Sequence, residues 1–291
     1  MKADIFSADK MKLDKQFKIT QPIRLIELFA GYGSQALALK YLGVPFEYWK
    51  ISEWAVKSIQ AYKDLHFPND NTDYSERMSV QQIREWLYGR ISSDFVTAMS
   101  DERINRLKER QIRLIYSNMQ ATHNLGSICE VSGNDLNITE TEKYCYILTY
   151  SFPCQDLSVA GKGAGMAKDS GTRSGLLWEV ERLLTECNEM PQVLIMENVP
   201  QILSVKNRPH FETWCTSLEN FGYKSEMQII NAKEFGVPQN RRRCFMVSVP
   251  KGYYYTFPQV QGCKLQLKHI LQANVDKQYY LPDTEILINE K

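Results

Sequence analysis

The sequence predicts an open α/β fold with a mostly parallel sheet and helices on both faces. Three observations carry that reading. Strand-like runs alternate with helical patterns along most of the chain. Most of the strand runs are largely apolar, as expected of strands covered on both sides. Glycine-containing or polar stretches recur directly after strands, at the carboxyl edge where such sheets place their ligands.

The elements follow in order. IRLIELF (23–29) reads as a strand, AGYGS as a turn, and QALALKYLG as a helix closed by Gly43. FEYWKI (46–51) is the next strand, followed by Ser52, Glu53 and the helical AVKSIQAY. Residues 64–127 are polar and charged and read as an insertion, with amphipathic helices around SVQQIREWLYGR and DERINRLKERQIR. Their charges are expected to face solvent more readily than a phosphate backbone, as most charge runs do. Then come the strand YCYILTYS (144–151), the helix SGLLWEVERLLTEC (174–187), the strand VLIMEN (193–198) and the helix HFETWCTSLENFG (210–222). YKSEMQII (223–230) and RCFMVSV (243–249) close the series as strands. The expected organisation is an N-terminal extension over 1–22, a catalytic domain over 23–250 that contains the insertion, and an aromatic tail over 251–291.

Composition narrows the class. With 43% hydrophobic and 24% charged residues, the chain of 291 residues reads as an ordinary globular protein. A net charge of +1 gives no global field toward nucleic acid, so any basic surface must be local. The seven cysteines (129, 145, 154, 187, 215, 244 and 263) form no CxxC zinc spacing and no disulfide framework, and no metal site is expected. The N-terminal MKADIFSADKMKLDK has no signal-like apolar run, and no stretch reaches membrane-spanning length, so a cytoplasmic, soluble protein with no membrane partner is expected.

Four short stretches carry chemistry. FAGYGS puts small residues where a backbone turns tightly beside a ligand, although a simple βα turn reads the same way. Glu53 ends the second strand, where a carboxylate suits ribose hydroxyls; a helix-start carboxylate is the alternative. Trp54 beside it offers a ring for stacking on adenine. SFPCQDL places Cys154 between a proline and a glutamine in a polar turn, whereas unpaired cysteine usually behaves as a small buried hydrophobe. Thiols are strong nucleophiles even at a few per cent thiolate. A cysteine hydrolase would need a histidine base, and His66, His123, His210 and His269 all lie far from Cys154 in sequence. MENVP offers instead a carboxyl, Glu197, and an amide, Asn198, directly after an apolar strand, and a glutamate in a partly apolar site suits proton donation. QNRRR (239–243) supplies guanidiniums suited to phosphates and planar acceptors, or else an exposed basic turn.

Taken together and in this order, FAGYGS, PCQ, ENV and QNRRR resemble the sequence blocks of the DNA cytosine-5 methyltransferases, over about Ile23 to Val249. The resemblance implies a Rossmann-like methyltransferase fold using S-adenosyl-L-methionine and releasing S-adenosyl-L-homocysteine. Phe29, Ala30, Gly31 and Gly33 would line the methionine and ribose side of the cofactor. Glu53 would hold the ribose hydroxyls, with Trp54 against the adenine, and Asp135 in GNDLNI would read the adenine amino group; a turn aspartate is the plainer reading of Asp135.

The same resemblance implies that Cys154 adds to carbon 6 of cytosine while Glu197 protonates ring nitrogen 3, so that carbon 5 becomes nucleophilic. Phe152, through its carbonyl, would contact the base amino group with Glu197. Arg243 would bind the base carbonyl oxygen, Arg241 would support the site or its phosphate, and Asn198 would brace the cysteine loop. Pro153, Gln155 and Ser158 belong to the same base-side loop, and SVAGKGAGMAKDSGTRSG (158–175) reads as a loop closing over double-stranded DNA around a flipped base.

The chain departs from the family pattern. Glu27 and Ser34 stand where the family often has Asp and Gly, and the spacer from Glu53 to Asp135 is long. No target-recognition region or closing GNSV-like block follows Val249. The expectation is therefore a chain that binds cofactor weakly and methylates poorly alone, with a second subunit supplying target recognition; a truncated or inactive chain reads the same way. The setting expected is restriction-modification or phage or host DNA modification. An RNA cytosine methyltransferase of the tRNA-directed branch, or a methyltransferase-like binding module, are the alternatives; the module would typically have lost Cys154 or Glu197.

Overall fold

The computed structural model describes residues 14–157, 165–168, 170–259, 262 and 265–280. The chain runs β1 (Lys15–Gln16), β2 (Ile23–Leu28), α1 (Ser34–Tyr41), β3 (Phe46–Ser52) and α2 (Val56–His66). Three further helices follow, α3 (Val80–Leu87), α4 (Asp101–Arg106) and α5 (Glu109–Ala121), before the sheet resumes with β4 (Cys145–Tyr150). The remaining elements are α6 (Leu177–Glu186), β5 (Val193–Asn198), α7 (Arg208–Asn220), β6 (Tyr223–Asn231), β7 (Arg242–Pro250) and β8 (Tyr253–Tyr254).

The main sheet has six strands in the order β3-β2-β4-β5-β7-β6. β2 runs parallel to β3 and β4, and β4 parallel to β5, whereas β7 is antiparallel to β5. β6 and β7 are joined by only the ten residues Ala232–Arg241. That is shorter than the dozen or more a parallel crossover needs, so the chain returns in the opposite direction. β1 pairs in parallel with β8 in a small separate ribbon, and Lys224 reaches Asp14 at 2.6 Å beside it.

Period-two alternation sends neighbouring side chains to opposite faces. Ile26 and Leu28 of β2, Tyr146, Leu148 and Tyr150 of β4, and Leu194 and Met196 of β5 pack with Leu177, Val180 and Leu184 of α6 and Phe211, Trp214 and Leu218 of α7. Leu25, Cys145, Ile147 and Val193 point the other way and pack with Ala36 and Leu39 of α1. Trp214 Nε1 donates to the Tyr150 hydroxyl at 3.1 Å, so the indole polar atom is satisfied inside the core.

The insertion builds its own small core from Ile83, Leu87, Ile91, Met99, Ile104, Ile112, Ile115 and Met119, joined by Ile59 of α2. Ser79 caps α3 in a reciprocal pair with Gln82. The run DERINRLKERQIR, expected as helical, divides in two. Leu107 and Lys108 are extended, so α4 ends at Arg106 and α5 begins at Glu109. The break lets Ile104 and Ile112 both face the small core.

The chain forms two compact units, residues 1–229 with 243–257, and residues 230–242 with 258–291. The second unit is loop-rich, with single helical turns at Ala232–Phe235, Leu267–His269 and Lys277–Tyr279. Among the described residues no helix is long and apolar enough to cross a membrane.

Candidate active site

Strand register brings the sequence motifs to one edge. Leu28 pairs with Ser52 on one side and Tyr150 on the other, and Tyr150 pairs with Met196. The turns beginning at Phe29, Glu53 and Ser151 therefore leave the sheet at one level, and Glu197, in the last two residues of β5, stands at that level too.

On the β2–β3 side, Phe29, Gly31 and Gly33 all take positive φ, at 57°, 58° and 80°. Gly33 is the position that admits no side chain, because a Cβ there would lie 2.4 Å from His66 Nε2 and 2.5 Å from Tyr62 Cε2. Beside Gly31, by contrast, a Cβ would meet nothing within 4 Å, so that turn borders open space. Ala30 is buried and its N–H donates to Ser52 O at 3.1 Å.

The Glu53 carboxylate is buried and accepts the Gly31 N–H at 2.8 Å and the Ala55 N–H at 2.7 Å. Asn124, from the insertion, clasps the Glu53 backbone on both sides, accepting its N–H at 3.1 Å and donating to its carbonyl at 2.9 Å. Burial pushes the Glu53 carboxyl up from its ordinary value, and the amides of Ala55, Gly31 and Trp54 pull it partly back. Beneath the turn, Glu27 accepts from the Tyr62 hydroxyl at 2.6 Å and the Ala36 N–H at 3.3 Å, and burial raises its pKa to about 7. Trp54 is half-buried beside Glu53. Asp135 is exposed on the turn Gly133–Leu136, where its carboxylate accepts both the N–H and the hydroxyl of Ser132, at 2.8 and 2.7 Å. Its hydrogen bonds are thus those of a turn aspartate and do not reach the other predicted cofactor residues.

On the β4–β5 side, Cys154 is half-buried in a turn closed by the Leu157 N–H on the Cys154 carbonyl at 3.0 Å. Burial pushes the thiols of Cys145, Cys187, Cys215 and Cys244 up to about 11, which suits packing rather than attack. Asn198 Nδ2 donates to the Phe152 carbonyl at 3.1 Å, bracing the cysteine turn from β5. Glu197 has partners at both oxygens. Ser151 donates to Oε2, and Arg243 Nε sits 2.8 Å from Oε1, with both ion-pair side chains about four-fifths shielded. Phe152 is buried, Pro153 half-buried and Gln155 exposed, while Ser158 lies outside the described residues. Arg241 belongs to the second unit, where it is exposed and its backbone is held by Asn231 and Ala232.

Sequence reasoning missed Ser151, Asn124, Asp156 and Ser174. Ser151 was recoverable from register, since it follows Tyr150, whose partner Met196 precedes Glu197. Asp156 and Ser174 were not, because their contacts link positions seventeen and eighteen residues apart around a glycine-rich stretch.

Comparison with known proteins bears on the whole arrangement. The family model for C-5 cytosine-specific DNA methylase matches residues 88–289. The type II methyltransferase M2.ScrFI of Lactococcus lactis subsp. cremoris is 33% identical over 267 residues, covering 91% of this chain and 71% of that protein. The orphan methyltransferase M.SssI of Spiroplasma monobiae is 37% identical over 244 residues, covering 80% of this chain, and this chain spans only 62% of its length. The fold matches the Entamoeba histolytica methyltransferase EhMeth with a TM-score of 0.55 at 14% identity, over 90% of this chain and 64% of that one. The chain belongs to the C-5 cytosine-specific DNA methylase family.

Proposed function

We propose that this chain transfers a methyl group from S-adenosyl-L-methionine to carbon 5 of cytosine in double-stranded DNA, as the cytoplasmic modification component of a restriction system or of a phage or host. The observation that carries the reading is the pairing of the Cys154 turn with Glu197 at the ends of adjacent strands, tied by Ser151–Glu197 and Asn198–Phe152. A nucleophile and a proton donor held on neighbouring strand ends are what addition across an electron-poor ring requires.

The Cys154 thiolate forms a bond to carbon 6 of the base, and the displaced π electrons are taken up as ring nitrogen 3 receives a proton from Glu197. For that step Glu197 exchanges one of its present partners, Ser151 or Arg243, for the base. Carbon 5 is then an enamine carbon. S-adenosyl-L-methionine, when bound, supplies the electrophilic methyl sulfonium for it. Loss of the carbon 5 proton to solvent, with the nitrogen 3 proton returning to the Glu197 carboxylate, restores the carbon 5–carbon 6 double bond, breaks the sulfur–carbon 6 bond and returns Cys154 as thiolate. Arg243 stands beside Glu197 to meet the base carbonyl oxygen, and the target leaves the duplex to reach the site.

The β2–β3 turns fit such a cofactor. Gly31 opens onto space that a side chain would fill, and the buried Glu53 carboxylate stands beside it as an acceptor for ribose hydroxyls. Phe29, Ala30 and Gly33 shape the turn, Trp54 takes the adenine face, and Asp135 would exchange Ser132 for the adenine amino group. A second, target-reading chain belongs to the same proposal. Its test is whether the product of a neighbouring reading frame raises activity.

The deciding experiment is incubation with cofactor and DNA containing 5-fluorocytosine, followed by peptide mass spectrometry. A covalent DNA adduct at Cys154, lost in Cys154→Ala while calorimetric cofactor binding survives, is expected. An adduct at another cysteine would sink the mechanism.

A further inference from the structure

The turn that carries Cys154 is held at three consecutive carbonyls by three different donors. Asn198 Nδ2 holds the Phe152 carbonyl at 3.1 Å, Ser174 Oγ the Pro153 carbonyl at 2.7 Å, and the Leu157 N–H the Cys154 carbonyl at 3.0 Å. The peptide planes on both sides of Cys154 are therefore fixed, and with them the direction in which its Cα–Cβ bond leaves the backbone. Two of these donors belong to the turn or to β5. The third comes from another element: Ser174 is fully buried in the helical turn that leads into α6 and is the only tether on the peptide that joins Pro153 to Cys154 among the described residues.

Ser174 is itself held in place. The Asp156 carboxylate, buried two residues after the cysteine, accepts the N–H of Arg173 at 2.7 Å and of Ser174 at 3.3 Å, and pairs with the Arg173 guanidinium at 3.4 Å. These amides open the helical turn Arg173–Leu176 that leads into α6, where orphan N–H groups and the helix dipole both favour a carboxylate. The Asp156 carbonyl in turn accepts the Gly165 N–H at 3.0 Å. Cys154 thus sits inside a closed circuit. Asp156 clamps the start of α6 to the cysteine turn, and Ser174, delivered by that clamp, reaches back to the peptide before the nucleophile.

Resting on the assignment of Cys154 as nucleophile, we infer that Ser174 is a positioning residue for Cys154, oriented by Asp156, and that its hydroxyl sets the thiol's line of approach to the base. Catalytic geometry is sensitive at this scale, since a misplacement of about 1 Å costs on the order of a hundredfold in rate. Ser174 is fully buried with its hydroxyl committed to the Pro153 carbonyl, so its contribution falls on covalent addition and not on affinity.

The test compares wild type with Ser174→Ala, Ser174→Thr and Asp156→Asn. Each is assayed for the rate of Cys154 adduct formation on saturating 5-fluorocytosine DNA and for calorimetric cofactor affinity. Thermal unfolding and amide hydrogen exchange over residues 151–157 complete the comparison. Ser174→Ala is expected to slow adduct formation by roughly ten- to a hundredfold. Its cofactor Kd should stay within twofold of wild type, and exchange over 151–157 should accelerate. Ser174→Thr, which keeps the hydroxyl, should recover most of the rate, and Asp156→Asn should reproduce the slow phenotype independently should the alanine variant fail to fold. An alanine variant with wild-type adduct rate and wild-type exchange overturns the inference, as does a loss of rate matched by a loss of cofactor affinity. Absence of a Cys154 adduct in wild type would remove the nucleophile assignment. The exchange measurement would then still decide whether Ser174 holds the turn.

Discussion

Two carboxylates on the same strand edge are used in opposite ways. Glu53, after β3, is buried and accepts from the backbone amides of Gly31 and Ala55, with Asn124 fastening its own backbone. Glu197, the penultimate residue of β5, keeps about a fifth of its side-chain surface and is met by side chains, Arg243 and Ser151. A carboxylate satisfied by backbone amides cannot leave without unmaking the turn. One satisfied by side chains exchanges partners at low cost. The difference teaches that the β2–β3 half fixes its carboxylate through the backbone, as the proposed receptor role needs, and that the β4–β5 half holds its carboxylate through exchangeable side chains, as the proposed proton transfer needs.

The largest expected effect tests the mobile half. Glu197→Gln keeps shape and removes the acid, and should lower the methyl-transfer rate by about a hundred- to ten-thousandfold, the usual worth of general acid help. Single-turnover kinetics with calorimetric cofactor binding would check it; a tenfold drop or less would place the proton source elsewhere. A loss confined to cofactor affinity would erase the distinction between the two halves.

The next effect tests the fixed half. Glu53→Ala removes an acceptor from two amides and from the proposed ribose contact. Cofactor binding should weaken by about 1.5–3 kcal/mol, the range for hydrogen bonds to a charged group. Titration calorimetry reads it directly, and unchanged affinity would mean that Glu53 holds only the turn.

The two halves were not equally legible in the sequence. FAGYGS, Glu53 and PCQ follow strands, and ENV closes one, whose ends agree with the observed β2, β3, β4 and β5 to within a residue, because largely apolar runs bounded by polar or glycine-containing stretches mark strands sharply. Cys154, Glu197 and Asn198 came into view together, since Cys154 follows β4, Glu197 and Asn198 end β5, and the two strands are neighbours. What stayed hidden was every partner supplied from a distance in sequence. Asn124 reaches Glu53 across seventy-one residues, and Tyr62 reaches Glu27 across thirty-five. Such contacts depend on how helices dock, which periodicity does not report. The break between α4 and α5 was hidden for a related reason: both halves carry good helix formers, and the division serves the packing of Ile104 and Ile112.

The smallest effect comes from Glu27, and it sharpens the comparison by showing what the rigid half costs. Glu27 stands under the glycine turn with Tyr62 and the Ala36 amide as partners, and burial outweighs both hydrogen bonds to raise its pKa to about 7. Its value in the unfolded chain is the ordinary carboxylate one, so between roughly pH 4.5 and 7 the folded protein holds a proton that the unfolded chain has released. The folded state binds more protons in that window, so stability falls as pH rises through it. In Glu27→Gln the neutral amide mimics the protonated acid and nothing is left to ionise. The variant's stability relative to wild type should therefore improve by about 1.5 kcal/mol between pH 5.5 and pH 7. Urea unfolding of both proteins at the two pH values measures that difference. A difference that does not change with pH would show that Glu27 is ionised throughout, with Tyr62 and Ala36 compensating its burial in full. Movement in the opposite direction would require hydrogen bonding to dominate burial, and the turn above Glu27 would then be held by a charge.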